Sequence, residues 1–362
     1  MSNLPHFDCL PPVPGMPQGC AWGLFDKDGK KDNLGCLNKL TPPIVAAAAS
    51  EVRDGISVSL NWPLDAMKGL GDMRKELVHK HVDLLPKLGI IGLDEELEFN
   101  TQASSQWDGL VHFAHQSSGL YYNGFKPTAE TMGASSTCET GEEWPCLTPW
   151  HKRGGLVGRG VLLDYRAYAE AKGISYTPFK AHAITVEDLE AVAAYQGTEL
   201  KVGDILLVRT GFTEELTGLS GEEQMKIMLG SEGFAGVHSH VDTAKWVWNH
   251  HFSAVAADNS AFEMIPPLDP IAAMAQGVKI ELRKLTLIRL FCICRELTFP
   301  RGYQDLHHYF LAMFGLSIGE MWDLKELARV CKEKGRYSFM LTSVPLNVSS
   351  LVASPPNALA IF

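Results

Sequence analysis

No run of apolar residues in this sequence approaches the length of a membrane span, and Met1–Gly15 lacks a basic start followed by an apolar core, so neither a transmembrane segment nor a secretory leader is expected. Positive charge is also short. Lys and Arg number 32 against 42 Asp and Glu, a formal charge of -10 with a pI near 5.7. A surface that neutralises phosphates needs clustered cations, so nucleic acid is set aside as a partner. The eight cysteines include no C-x-x-C pair and no repeated spacing, which excludes a zinc knuckle and fits reduced thiols in the cytoplasm better than a disulfide frame. No lysine follows Gly158 and Gly160 in phosphate-loop spacing. The acidic run Asp26–Asp32 has its glycine at the wrong place for a calcium loop and Leu37 where that loop needs Glu, so it reads as a turn.

What is present is enough apolar residue to bury a full core: 46% of 362 residues are hydrophobic and 20% are charged. Pro5–Gly19 is dense in proline and glycine and is expected to form an extended arm on the body or on a partner subunit. Thr41-Pro42-Pro43 predicts a helix running to about Arg53, stopped by Gly55, and Ile56–Trp62 alternates like a strand. Leu156–Asp164 and Ile205–Gly211 are continuous apolar runs of the kind buried on both faces of a sheet. Thr185 and Asp188 mark a helix start. Thr243–His250 predicts another helix and Ala254–Asp258 another strand, ending at Asn259-Ser260 where a strand end often faces a site. Alternating strands and helices predict an α/β protein with a mixed sheet.

The candidate site begins in Thr101–His112. In an extended chain Gln102, Ser104, Gln106 and Asp108 share a face, Gly109 allows a turn, and His112 is suited to proton transfer near neutral pH. The second half is expected in Leu306–Glu320. There an apolar helix carrying His307 and His308 leads into an extended segment ending at Glu320. Trp107, Trp150, Tyr121 and Tyr122 are candidate walls of a substrate pocket.

The row at 102–112 resembles the H-x-G-T-H-x-D-x-P-x-H signature of the metal-dependent cyclase and kynurenine formamidase-like hydrolases. Asp108 matches its third metal ligand and His112 its catalytic histidine. Gln102 and Gln106 stand where the signature has metal-binding histidines, Ser104 for its glycine, Ser105 for its threonine and Leu110 for its proline. Fungal members are similar to this Gln-x-x-x-Gln-Trp-Asp version, and Trp22–Phe25, Leu60–Leu64, Gly158–Asp164 and Gly203–Gly211 are similar to further strings of the family. The resemblance implies a swivelling β/β/α arrangement, with residues 1–20 as the arm and 21–362 as one cyclase-like domain. It also implies that a histidine of the 307/308 pair and Glu320 complete the metal site with Gln102, Gln106 and Asp108. Either histidine fits: His308 by its separation of about a dozen residues from Glu320, His307 by its Leu-His context.

In such a site a divalent ion acidifies water while the spare histidine moves protons as an amide or lactone opens. Amide oxygens in place of imidazoles favour Mn²⁺, Mg²⁺ or Ca²⁺ over Zn²⁺. The expectation is therefore a cytoplasmic hydrolase of a small cyclic or aryl amide or a lactone, acting as a homo-oligomer on a small molecule. The alternatives are a metal-independent lyase or cyclase of secondary metabolism, with Asp108 and His112 as the acid/base pair, and a non-catalytic binding protein. Residues 277–302, a basic island in an acidic chain, fit no neighbouring face and read as an insertion.

Overall fold

In a computed structural model of the chain, residues 4–68, 74–134, 144–266 and 305–362 are described. The basic island at 277–302 lies outside the described residues. Among the described residues thirteen strands are seen: β1 (Ser57–Ser59), β2 (Val78–Asp83), β3 (Leu93–Glu98), β4 (Gln106–Asp108), β5 (Leu156–Asp164), β6 (Lys180–Ile184), β7 (Ile205–Arg209), β8 (Glu232–Val237), β9 (Ala254–Ala257), β10 (Ser317–Glu320), β11 (Ser338–Ser343), β12 (Ala353–Ser354) and β13 (Ala358–Ile361). Nine of them form one sheet in the order β1-β13-β11-β5-β7-β9-β10-β4-β12. The centre, β5-β7-β9-β10, is parallel, and antiparallel strands extend it on both sides.

Those central strands are the continuous apolar runs of the sequence, and alternation splits each between two cores. Val161, Leu163, Leu206, Val208, Val255, Ala257 and Ile318 pack on one face. Leu162, Ile205, Leu207, Ala254 and Ala256 pack on the other with Trp107, Trp150 and Trp322. Helices close both faces. The helix Val186–Gln196 starts with a reciprocal capping box between Thr185 and Asp188, and Val241–Asn249 presents Trp246 and Trp248 to the first core. The arm packs on the body: Phe7 and Leu10 enter the first core, and the Phe7 amide donates to Asn249 Oδ1 at 2.9 Å.

Two expected elements are shorter than the sequence suggested. The helix after Thr41 ends at Ala48 and passes through a tight turn, Ala49–Glu51, because Glu51 is drawn into a buried network with Arg159 at 2.8 Å and Ser338 at 3.0 Å. The strand after Gly55 covers only Ser57–Ser59, the edge strand of the sheet, paired to β13. The acidic turn is structural: Asp26 and Asp32 accept backbone and side-chain N–H groups of Asp32, Gly35, Asn38 and Asn123. Among the described residues no helix is long and apolar enough to cross a membrane.

Candidate active site

Strand β4 lies antiparallel to β10, with Gln106 opposite Glu320 and Asp108 opposite Ile318. Residues paired across such strands share a face, so Gln106, Asp108 and Glu320 all project from the same side. Gly319 allows β10 to sit this deep. A Cβ there would stand 2.6 Å from Ala256 Cβ and 2.8 Å from Trp322 Nε1.

The amide of Gln106 donates to Glu320 Oε2, and His307 Nε2 meets Glu320 Oε1 at 3.3 Å. One ligand atom from each of Asp108, His307 and Glu320 lies within 4.8 Å of the other two, and all three side chains are buried. Gln102 completes the group from outside the strand. The turn at 100–103, held by Asn100, carries its amide nitrogen to 2.7 Å from Asp108 Oδ1 and 3.2 Å from His112 Nδ1. Gly109 then lets the chain reverse under Val352, where a Cβ would stand 2.7 Å from the carbonyl, and His112 returns half-buried with its ring 6.4 Å from that of His307.

The structure thus brings Gln102, Gln106, Asp108, His112, His307 and Glu320 into one side-chain cluster from segments some 200 residues apart. It separates the adjacent histidines. His308 turns away to Asp305, bonding its carboxylate, whereas His307 faces Asp108 and Glu320. Consecutive residues of a helix project about 100° apart, so one of the pair can face the sheet, and His307, held by Glu263, is that one.

The polar row is also shorter than an extended chain would make it. Only Gln106–Asp108 is strand, and Ser104 Oγ instead donates to the Pro63 carbonyl at 2.8 Å.

Three of the four aromatic pocket walls are core residues. Trp107 points to the face opposite Gln106 and Asp108, packs edge-on to Trp322 with ring centres 4.9 Å apart, and donates to Ser343 Oγ. Trp150 joins it at 5.5 Å. Tyr122 is buried with its hydroxyl on Asp32 Oδ2, while Tyr121 stays half-buried.

Two site residues went unread in the sequence. Glu263 accepts from His307 Nδ1 at 2.8 Å, opposite the nitrogen that faces Glu320. It lies just beyond Asn259-Ser260, so the strand end pointed toward it without reaching it. Arg74 donates to the Gln102 carbonyl and adds a positive charge near Glu320, and no sequence pattern marks it.

Burial opposes charge on His307, but Glu263 and Glu320 outweigh it and hold its pKa well above the histidine range. Burial pushes the carboxyls of Glu320 and Glu263 up. At Glu320 the charge of Asp108 adds to this and His307 opposes it.

The residues fit a divalent ion. Asp108 and Glu320 put two carboxyls beside the His307 imidazole, and Gln106 Oε1 and Asp108 Oδ2 find no hydrogen-bond partner among the described residues. Buried oxygen atoms without partners are costly, and a cation compensates them. Gln102 presents its nitrogen to Asp108, so the amide oxygen on offer at the centre is that of Gln106.

The fold has counterparts among solved structures. A solved structure described as a novel cyclase superposes with a TM-score of 0.70 at 28% identity, over 95% of this chain and 99% of that one. An isatin hydrolase bound to the product analogue thioisatinate gives 0.50 at 14% identity, over 87% and 94%, a likeness of fold alone. No curated protein matches the sequence significantly. The mixed sheet with its surrounding helices is therefore the cyclase-like fold. The profile of the putative cyclase family matches residues 39–264, which include the Gln102–His112 segment and Glu263, and the chain belongs to that family.

Proposed function

We propose that this chain is a hydrolase that opens a small cyclic amide, an aryl amide or a lactone, with Asp108, His307, Glu320 and the Gln106 amide oxygen holding a divalent ion. The observation that carries this reading is the buried convergence of Asp108, His307 and Glu320, their ligand atoms within 4.8 Å of one another. When bound, such an ion polarises a carbonyl and acidifies water.

The chain's own residues do the rest. Glu263 holds the His307 ring by its outer nitrogen, leaving Nε2 to face the centre. Gln102 ties Asp108 to the ring of His112 and fixes both. His112, half-buried with its ring 6.4 Å from that of His307, would take a proton from the attacking water and return it to the leaving nitrogen or oxygen. Oxygen donors outnumber nitrogen, so Mn²⁺ or Mg²⁺ suits the set better than Zn²⁺.

The test is metal analysis of the purified chain together with hydrolysis of a panel containing isatin, an aryl formamide and a lactone. Activity lost on chelation, restored by Mn²⁺ and absent in Asp108→Asn is expected. Turnover that survives exhaustive chelation would favour the second reading, a metal-independent lyase or cyclase. The Gln102 amide, bonded to both Asp108 and His112, would then couple those two as an acid/base pair.

A further inference from the structure

We propose that the β2–β3 ribbon carries a second metal site, on the protein surface, in which His79, His81 and Glu95 bind a divalent transition ion such as Zn²⁺. Among the described residues the ribbon forms a two-stranded sheet of its own, outside the nine-stranded sheet. Its register sets His79 opposite Leu97 and His81 opposite Glu95, so His79, His81, Asp83, Leu93, Glu95 and Leu97 share one face. Lys80 falls on the other face and pairs there with Glu96 at 3.0 Å. No cation of the ribbon therefore competes for the face with the two imidazoles.

The side chains are already gathered. Ligand atoms of His79, His81 and Glu95 lie within 4.8 Å of one another, and the two imidazole rings are 4.4 Å apart between centres. His79 Nε2 donates to Glu95 Oε2 at 2.7 Å, while the His81 ring forms no hydrogen bond or ion pair among the described residues. A tetrahedral zinc with nitrogen and oxygen ligands near 2 Å needs donors roughly 3.3 Å apart, within reach of side-chain rotation alone. The ion replaces the proton between His79 and Glu95, takes His81 as its third ligand and fills its fourth position with water. Two imidazoles and one carboxylate select Zn²⁺, Ni²⁺ or Cu²⁺ over Mg²⁺ and Ca²⁺.

Such an ion has a structural use. A two-stranded ribbon is marginal in water, and here Ile91 is 92% exposed and Leu93 73% exposed. An ion held by both strands closes the loop between them and holds their register. The base of the ribbon adjoins the catalytic segment, since Asn100 N donates to the Lys75 carbonyl at 3.0 Å and Arg74 to that of Gln102.

Zn²⁺ titration of the full chain by calorimetry tests this. The parent should bind one equivalent more than His79→Gln/His81→Gln, with the same circular dichroism, and Glu95→Gln should bind at that site at least tenfold more weakly. Amide hydrogen exchange across residues 78–98 should slow on adding Zn²⁺ to the parent and stay unchanged in the double variant. Equal zinc stoichiometry in parent and double variant, or ribbon exchange indifferent to zinc in the parent, would overturn the assignment. None of these substitutions touches the buried cluster, so the result is independent of the hydrolase reading.

Discussion

Replacing Gln106 with histidine separates the two jobs its amide performs. The nitrogen donates to the Glu320 carboxylate inside the protein, and the oxygen has no hydrogen-bond partner among the described residues. Losing a buried hydrogen bond to a charged group costs roughly 1.5–3 kcal/mol, so the metal-free variant should unfold at lower denaturant by about that amount. An imidazole at this position adds a nitrogen ligand to Asp108, His307 and Glu320. Zinc should then bind at least tenfold more tightly, about 1.4 kcal/mol. At a free zinc concentration of roughly 100 times Kd the ion contributes about 2.7 kcal/mol, enough to offset the loss. Gln102→His should do much less, because the structure turns the Gln102 nitrogen, not its oxygen, toward Asp108. A gain of roughly threefold, about 0.7 kcal/mol, is its expected limit. Calorimetric zinc titration and urea denaturation with and without zinc, both in the His79→Gln/His81→Gln background, read the buried site alone. Unchanged zinc affinity in Gln106→His would show that position 106 does not face a common centre with Asp108, His307 and Glu320.

Three further outcomes are expected. Trp107→Ala should destabilise the protein by roughly 3–5 kcal/mol in urea melts, since it empties the Trp150–Trp322 cluster; a change in KM without that loss would return Trp107 to the pocket. Gly319→Ala should force β10 away from Ala256 and Trp322, costing about 1–3 kcal/mol and weakening Mn²⁺ binding through Glu320, and Mn²⁺ affinity equal to the parent's would count against this placement. Arg209→Ala leaves the buried carboxylate of Asp164, now 2.8 Å from the guanidinium, without its partner. A loss of roughly 3–5 kcal/mol should appear in thermal and urea unfolding, and a loss below about 1 kcal/mol would mean the pair is replaceable.

The sequence by itself determined the elements whose causes are local. Apolar runs at 156–164 and 205–209 become central strands because nothing but burial on both faces satisfies them, and Thr185 with Asp188 caps a helix because their side chains reach its free N–H groups. The row Gln102, Gln106, Asp108, His112 and its joining with the segment ending at Glu320 were legible through resemblance to the family signature rather than through local spacing. Other features were settled only by tertiary structure. The choice of His307 over His308 lies in their partners, Glu263 and Glu320 for one and Asp305 for the other, which the sequence pattern does not show. Alternation already set Trp107 opposite Gln106 and Asp108, but that its face is core, against Ser343 and Trp322, came from the tertiary structure, and the turn at Asn100 carried Gln102 to Asp108 without a strand. Glu263 and Arg74 reach the cluster, and His79 meets Glu95, through contacts between residues distant in sequence, where spacing along the chain says nothing of distance in space.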